Sequence, residues 1–315
     1  MKILLVGNKD RGKYCFEAIK VKHEIVGVVS NYCAKYKFGF NSFVDIAKNY
    51  NIPLFQPENI NDKEVIQELK SLDPDLIVIA GYNQIVKREF IALAKFGCVN
   101  LHGGKLPEQR GSSPMNWQLI NAKNEFSISI IQVDEGIDTG DILAERTFSI
   151  FRNDTINDLH KRANEAFPVM LIELIDQIES GTASPRKQDE SKASYYPLRF
   201  PEDGLVLWDM LTAEEVHNHI RALTAPYPGA FTYYGRKKIK LLKSSLTEIP
   251  FYGEPGRIYK KTNSKVLVCA RDKCLWIENC IDADTGEDFY LNMKVYEQFV
   301  TLRGTIKEVY ENKKL

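Results

Sequence analysis

At 315 residues, 44% of them hydrophobic, the chain is long enough to fill the cores of two domains. Forty-two Lys and Arg balance forty-two Asp and Glu, so no global field draws the protein to a polyanion, which argues against a nucleic-acid partner and against an anionic membrane surface. The cysteines (Cys15, Cys33, Cys98, Cys269, Cys274, Cys280) lie mostly in apolar runs and the chain begins directly on a strand, so buried structural thiols in a reducing cytoplasm are expected. Cys269, Cys274 and Cys280 are close in sequence, but no histidine lies near them to complete a four-ligand set, and no metal is expected.

Lys2 to Gly7 (KILLVG) is a nearly continuous apolar run, as in a strand buried on both faces of a parallel sheet. A helix over 12–20 and a strand over 24–30 complete a βαβ unit. Gly7 and Gly12 have the outer spacing of the dinucleotide fingerprint, yet Lys9 fills the middle position, where a side chain blocks the pyrophosphate. The same stretch falls one residue short of a P-loop, with Tyr14 where the magnesium-binding hydroxyl belongs. A plain strand-to-helix turn accounts for both near-matches. Helices over 43–50 and 62–71 alternate with strands over 52–55 and 75–80, which predicts a doubly wound α/β sheet. After Ala80 the loop Gly81-Tyr82-Asn83-Gln84-Ile85-Val86 leaves a strand's carboxyl end, where backbone groups can meet a ligand.

Residues 97–143 organise the rest. A short strand through Cys98, Val99 and Leu101 carries Asn100 and His102, and a Gly/Pro-rich loop and a helix follow. A second strand over 126–133 runs into the acidic loop Asp134-Glu-Gly-Ile-Asp138-Thr-Gly140. Beyond it, Asp154 is placed to cap a long helix whose apolar residues from Ile156 to Ile178 keep helical spacing, with Pro168 as a kink. From 181 to 194 the apolar pattern vanishes, which reads as a linker. Thr212 and Glu215 form a capping box for a helix to about Leu223, and five short strands over 231–279 predict a small open barrel. The expected organisation is a doubly wound, Rossmann-like α/β domain over 1–185, a bridge over 186–205 and a smaller β-rich domain over 206–315.

On an extended segment residues i and i+2 face one side, so Asn100 and His102 point into one space. Taken singly, His102 is an ordinary strand-end histidine and Asp138 a turn-former. Together, an amide donor, an imidazole and a carboxylate are what acyl transfer to an amine requires. His23, His160, His217 and His219 lack such neighbours and read as structural. The basic run from Arg236 to Lys243 reads as a solvated strand face.

Asn100-Leu-His102-Gly-Gly-Lys105-Leu-Pro107, Arg110-Gly-Ser-Ser-Pro-Met-Asn-Trp117 and Asp134-Glu-Gly-Ile-Asp138-Thr-Gly resemble the folate-dependent formyltransferase family over about residues 1–245. The resemblance implies Asn100, His102 and Asp138 as the catalytic triad and 10-formyltetrahydrofolate as donor and co-substrate, and it implies a folate site formed by Gly81, Tyr82, Gln84, Ile85 and Asp134. The loop after His102 and the Met-Asn-Trp helix start are most similar to nucleotide-sugar N-formyltransferases. This implies a dTDP- or UDP-linked amino-deoxysugar as acceptor, for surface-polysaccharide synthesis, and a homodimer. Lys9, Arg11, Lys105 and Arg199 are then candidates for the acceptor's pyrophosphate. The alternative acceptor is methionyl-tRNA, expected to come with a basic second domain and strong salt dependence. Water as acceptor, or a silent folate-binding module, would be separated by following formate release and donor consumption.

Overall fold

Runs of consecutive apolar residues become the inner strands of a seven-stranded sheet, because a strand covered on both faces has no side to give to polar residues. The computed structural model describes residues 1–31 and 43–312, so Cys33 lies outside the described residues. In it, β1 (Lys2–Gly7), α1 (Lys9–Ile19), β2 (Glu24–Val29), α2 (Val44–Tyr50), β3 (Leu54–Phe55), α3 (Lys63–Lys70), β4 (Leu76–Ala80), α4 (Arg88–Ile91) and β5 (Cys98–His102) alternate strand with helix. They are followed by β6 (Arg110–Gly111), α5 (Pro114–Ile120), β7 (Glu125–Gln132), β8 (Ile142–Ser149), α6 (Ile156–Ser180) and β9 (Tyr195–Tyr196). The sheet order is β3-β2-β1-β4-β5-β7-β8.

The chain moves outward from β1 to β3 and resumes with β4 on the other side of β1, which places a topological switch point between β1 and β4. There Gly7 lets the strands close up: a Cβ on it would lie 2.4 Å from the carbonyl oxygen of Ala80. One sheet face joins Leu4, Val6, Val29, Ile77 and Ile79 with Leu69 of α3 and Phe90 of α4. Along α6, Ile156, Leu159, Ala163, Phe167, Leu171 and Leu174 are buried at the spacing read from the sequence.

The doubly wound reading holds through β5, where the pairing changes. β7 is antiparallel to β5, with Gln132 opposite Val99 and Ser129 opposite His102. The acidic loop therefore leaves β7 beside the start of β5 and folds back over it. Two local expectations are corrected. Asp154 does not cap α6: its carboxylate accepts from the Phe151 amide at 2.7 Å, while Asp158 accepts from the Thr155 amide and hydroxyl. Cys269 and Cys274, expected as thiols, are joined as a disulfide. They are direct cross-strand partners at a tight turn, a juxtaposition that sequence spacing does not reveal. Cys15, Cys98 and Cys280 are free and buried.

Two compact units emerge: Met1–Pro114, Phe126–Phe148 and His160–Pro197 form the first, and Met115–Glu125, Ser149–Leu159 and Leu198–Leu315 the second. In the second, α7 (Ala213–Leu223) starts on the Thr212 capping box, with the Thr212 hydroxyl accepting from the Glu215 amide. Then β10 (Ala230–Tyr234), β11 (Lys237–Leu246), β12 (Ile258–Lys261), β13 (Val266–Cys269) and β14 (Cys274–Asp282) form an antiparallel sheet ordered β10-β11-β14-β13-β12, and α8 (Leu302–Asn312) follows. The sheet's core includes Ile239, Leu241, Leu275 and Ile277, and the buried Trp208 donates to the Thr232 hydroxyl at 2.8 Å. Among the described residues, no helix is long and apolar enough to cross a membrane.

Candidate active site

Asn100 and His102, two positions apart on β5, face the same side, and the loop after β7 brings Asp138 to them. The Asn100 amide donates to Asp138 Oδ1 at 3.4 Å, and His102 Nδ1 lies 3.4 Å from Asp138 Oδ2. On the other edge of the ring, His102 Nε2 lies 2.6 Å from the carbonyl oxygen of Gln109. Both neighbours carry acceptor oxygens, so each ring nitrogen faces one. His102 is 5% exposed, and the ring has little room to turn.

The loop between β5 and β6 is shaped around that ring. A Cβ on Gly104 would lie 2.7 Å from His102 Nε2 and 2.8 Å from the Gln109 carbonyl oxygen. The Gly104 carbonyl accepts from the Ser129 hydroxyl at 2.9 Å, and the Lys105 amide donates to Gln109 Oε1 at 2.8 Å. Asp138 has φ 54, a left-handed conformation that a residue with a side chain rarely adopts. Its carboxylate accepts from the Gly111 amide at 2.8 Å.

The remaining candidates are placed unevenly. Gly81 turns the chain after β4 with φ 77, Tyr82 packs on the core and Ile85 is exposed. Gln84 is engaged internally: Oε1 accepts from the Ile60 amide at 2.9 Å, and Nε2 donates to the Glu58 carbonyl at 3.2 Å. Asp134 orders its own loop by accepting from the Gly136 amide and the Thr139 hydroxyl. Arg11 donates to the Leu101 carbonyl at 3.1 Å and stacks over Phe167. The Lys9 side chain lies outside the described residues. Lys105 pairs with Glu108 at 3.6 Å. Arg199, in the second unit, lies over the Trp117 ring and donates to the Asp203 carbonyl, and burial pushes its pKa down.

Gln109, Gln188 and Glu190, none of them singled out in the sequence, also build the site, together with Arg110 and Gly111, which the sequence reading carried only as the start of the motif running to Trp117. Polar residues at 186–190 carry no periodicity, so their convergence on Arg110 leaves no trace in the pattern. Among the other histidines, His217 lies 3.0 Å from the Ser244 hydroxyl and is pushed down by burial. His219 is pushed down to about 4 by burial, with the Arg199 charge adding to it.

A family model described as "Formyl transferase" matches residues 1–175, and one described as "Formyl transferase, C-terminal domain" matches residues 200–285. A methionyl-tRNA formyltransferase of Geobacter metallireducens is 36% identical over 234 residues, covering 74% of this chain and 74% of that one. One of Alkaliphilus oremlandii is 33% identical over 283 residues, covering 88% and 91%. The N-formyltransferase from Helicobacter canadensis, solved with folinic acid and dTDP-3-aminofucose, superposes with a TM-score of 0.70 at 21% identity over 88% of this chain and 99% of that one. That likeness shows the fold alone.

These relatives overturn the expectation of a sugar N-formyltransferase with a dTDP- or UDP-linked acceptor, and with it that of no nucleic-acid partner. Proteins 31 to 36% identical over most of the chain are methionyl-tRNA formyltransferases. The sequence clue to the sugar had a local cause. Gly104 is required by crowding around His102, and Met115 and Asn116 are 2% and 1% exposed, with the Asn116 amide on the Ala222 carbonyl. Both features report packing rather than the acceptor.

Proposed function

Because this chain belongs to the folate-dependent formyltransferase family, we propose that it transfers a formyl group from 10-formyltetrahydrofolate to the α-amine of methionyl-tRNA. The observation that carries the chemistry is the meeting of Asn100, His102 and Asp138 on one side of β5. The neutral amine attacks the formyl carbon. As the N–C bond forms, the carbonyl oxygen gains negative charge, the second N–H of the Asn100 amide donates to it, and an imidazolium at His102, held between Asp138 and the Gln109 carbonyl, stabilises it through its charge. The amine gives up a proton, the bond from carbon to folate N10 breaks, and N10 takes a proton as tetrahydrofolate leaves. Asp138 keeps the imidazole turned towards the reacting centre and offsets its charge.

Two facts favour methionyl-tRNA as acceptor. The relatives that share most of the chain are methionyl-tRNA formyltransferases. The neutral total charge is also split: residues 206–315 hold seventeen Lys and Arg against fourteen Asp and Glu, a net +3, and the remainder carries −3. The test is to incubate the enzyme and 10-formyltetrahydrofolate with methionyl-tRNA and follow the mass of the aminoacyl group. Formylation that weakens steeply with salt is expected. Formylation of an amino-sugar nucleotide, with methionyl-tRNA left untouched, would overturn the assignment.

A further inference from the structure

Residues 186–196, which read as a linker, run along the site and are tied into it. Arg186 and Ile142 exchange backbone hydrogen bonds at 2.8 Å. Gln188 Nε2 donates to the carbonyls of Asp138 at 2.8 Å and Gly140 at 2.6 Å. Gln188 Oε1 accepts from Arg110 Nε at 3.0 Å and Nη2 at 2.9 Å. Arg110 is 0% exposed, and its guanidinium also donates to Glu190 Oε1 at 2.5 Å, to Glu190 Oε2 at 3.0 Å and to the Tyr195 hydroxyl at 3.0 Å. That guanidinium holds the Glu190 carboxyl below the usual range. Finally, β9 pairs in parallel with β6, whose Gly111 amide donates to the Asp138 carboxylate.

The order of dependence is set by charge. A carboxamide can face either way, but beside a buried guanidinium only its oxygen is acceptable, so the Gln188 NH2 must point at the two carbonyls. Those carbonyls belong to the turn in which Asp138 holds its left-handed φ. A residue with a side chain enters that conformation mainly in turns, Asp more readily than most, and keeps it where its surroundings hold it.

We propose that Gln188, oriented by Arg110 and Glu190, is a positioning residue that holds the Asp138 turn, and through it His102 and Asn100, in reactive geometry. This rests on the formyl-transfer reading. Gln188→Glu is the sharpest test. The new carboxylate keeps and strengthens the pairing with Arg110, so the segment stays anchored, but it sets an acceptor against two carbonyls. Gln188→Met removes both sets of hydrogen bonds at similar length and serves where the first variant folds poorly.

The folded variant should keep its melting temperature within a few degrees and its KM for donor and acceptor within about twofold, while kcat falls on the order of 10- to 100-fold. Backbone amides over 134–141 should exchange with deuterium faster than in the wild type. Wild-type kcat in either folded variant, or unchanged exchange over 134–141, overturns the proposal. A wild-type enzyme that formylates no methionyl-tRNA would instead sink the function reading, and exchange over 134–141 still decides the role of Gln188.

Discussion

The end of β5 and the five-stranded sheet of the second unit use polar groups in opposite ways. Around β5 they are buried or half-buried and committed to one another: the His102 ring has a partner on each edge, and Asp138 has three. On the sheet, lysines lie over aromatic rings, with Lys238 at 3.8 Å from the Phe231 centroid, Lys265 at 4.6 Å from Trp276 and Lys260 at 5.0 Å from Phe251. Committed groups set a geometry and cannot adapt. Stacked lysines supply charge and flat surfaces to many conformations of a ligand. On the proposed reading, turnover and grip are encoded in different places, so substitutions should separate kcat from KM.

The largest effects should come from the committed groups. Asn100→Ala and His102→Ala should each lower kcat by at least about a hundredfold, the usual loss when a group stabilising the oxyanion is removed. Steady-state rates at saturating donor check this, and near-normal turnover in both would remove them from the chemistry. Next comes Gly104→Ala, whose methyl group must displace His102 or the Gln109 carbonyl. A drop in kcat of roughly tenfold, with overpacking costing about 1–3 kcal/mol of stability, is expected and is read from rates and denaturant melts.

Replacing Lys238, Lys260 and Lys265 together by Ala should do the reverse. KM for methionyl-tRNA should rise with kcat nearly kept, and the slope of log affinity against log salt should flatten by about one for each phosphate no longer neutralised. An unchanged slope would place the grip elsewhere.

The smallest effect concerns acid stability. His219 is held neutral in the fold, with its pKa pushed down to about 4, whereas an unfolded histidine titrates near 6.5. Between these values the unfolded chain binds more protons, so stability falls as pH drops from 6.5 towards 4, by at most about 3 kcal/mol. Melting temperatures across that window should fall less in His219→Gln than in the wild type, and equal falls would assign the sensitivity to other groups.

What could be read from the sequence depended on whether a feature repeats or converges. Apolar runs such as KILLVG announced β1, and the two-residue spacing of Asn100 and His102 announced a shared face, since both follow from strand geometry. The Gly-flanked Asp138 was legible as a turn that happened to carry a carboxylate. Pairing direction was not: β7 looks the same parallel or antiparallel, so the back-folding of the acidic loop over β5 stayed hidden. Nor was the clamp of Arg110, Gln188 and Glu190, made by single polar residues some eighty positions apart. Gly104 was visible but misassigned, because a glycine demanded by a neighbouring ring looks like one demanded by a ligand. The neutral net charge misled in a similar way, since a total says nothing about its distribution.

The division of the chain into interleaved units bears on how such an enzyme can be taken apart. Met115–Glu125 and Ser149–Leu159 fold with the second unit although they are encoded in the middle of the first. In the second unit, the Asn116 amide reaches the Ala222 carbonyl, and the Arg221 guanidinium reaches the carbonyls of Phe151 and Asp154. A gene fragment ending at Pro197 would strand both segments, and a ribosome that has made only the first 197 residues has made two pieces still waiting for their partners. Swapping the C-terminal part for that of another protein would have to carry those inserted pieces along with it, so the second unit is not freely exchangeable at the level of the gene.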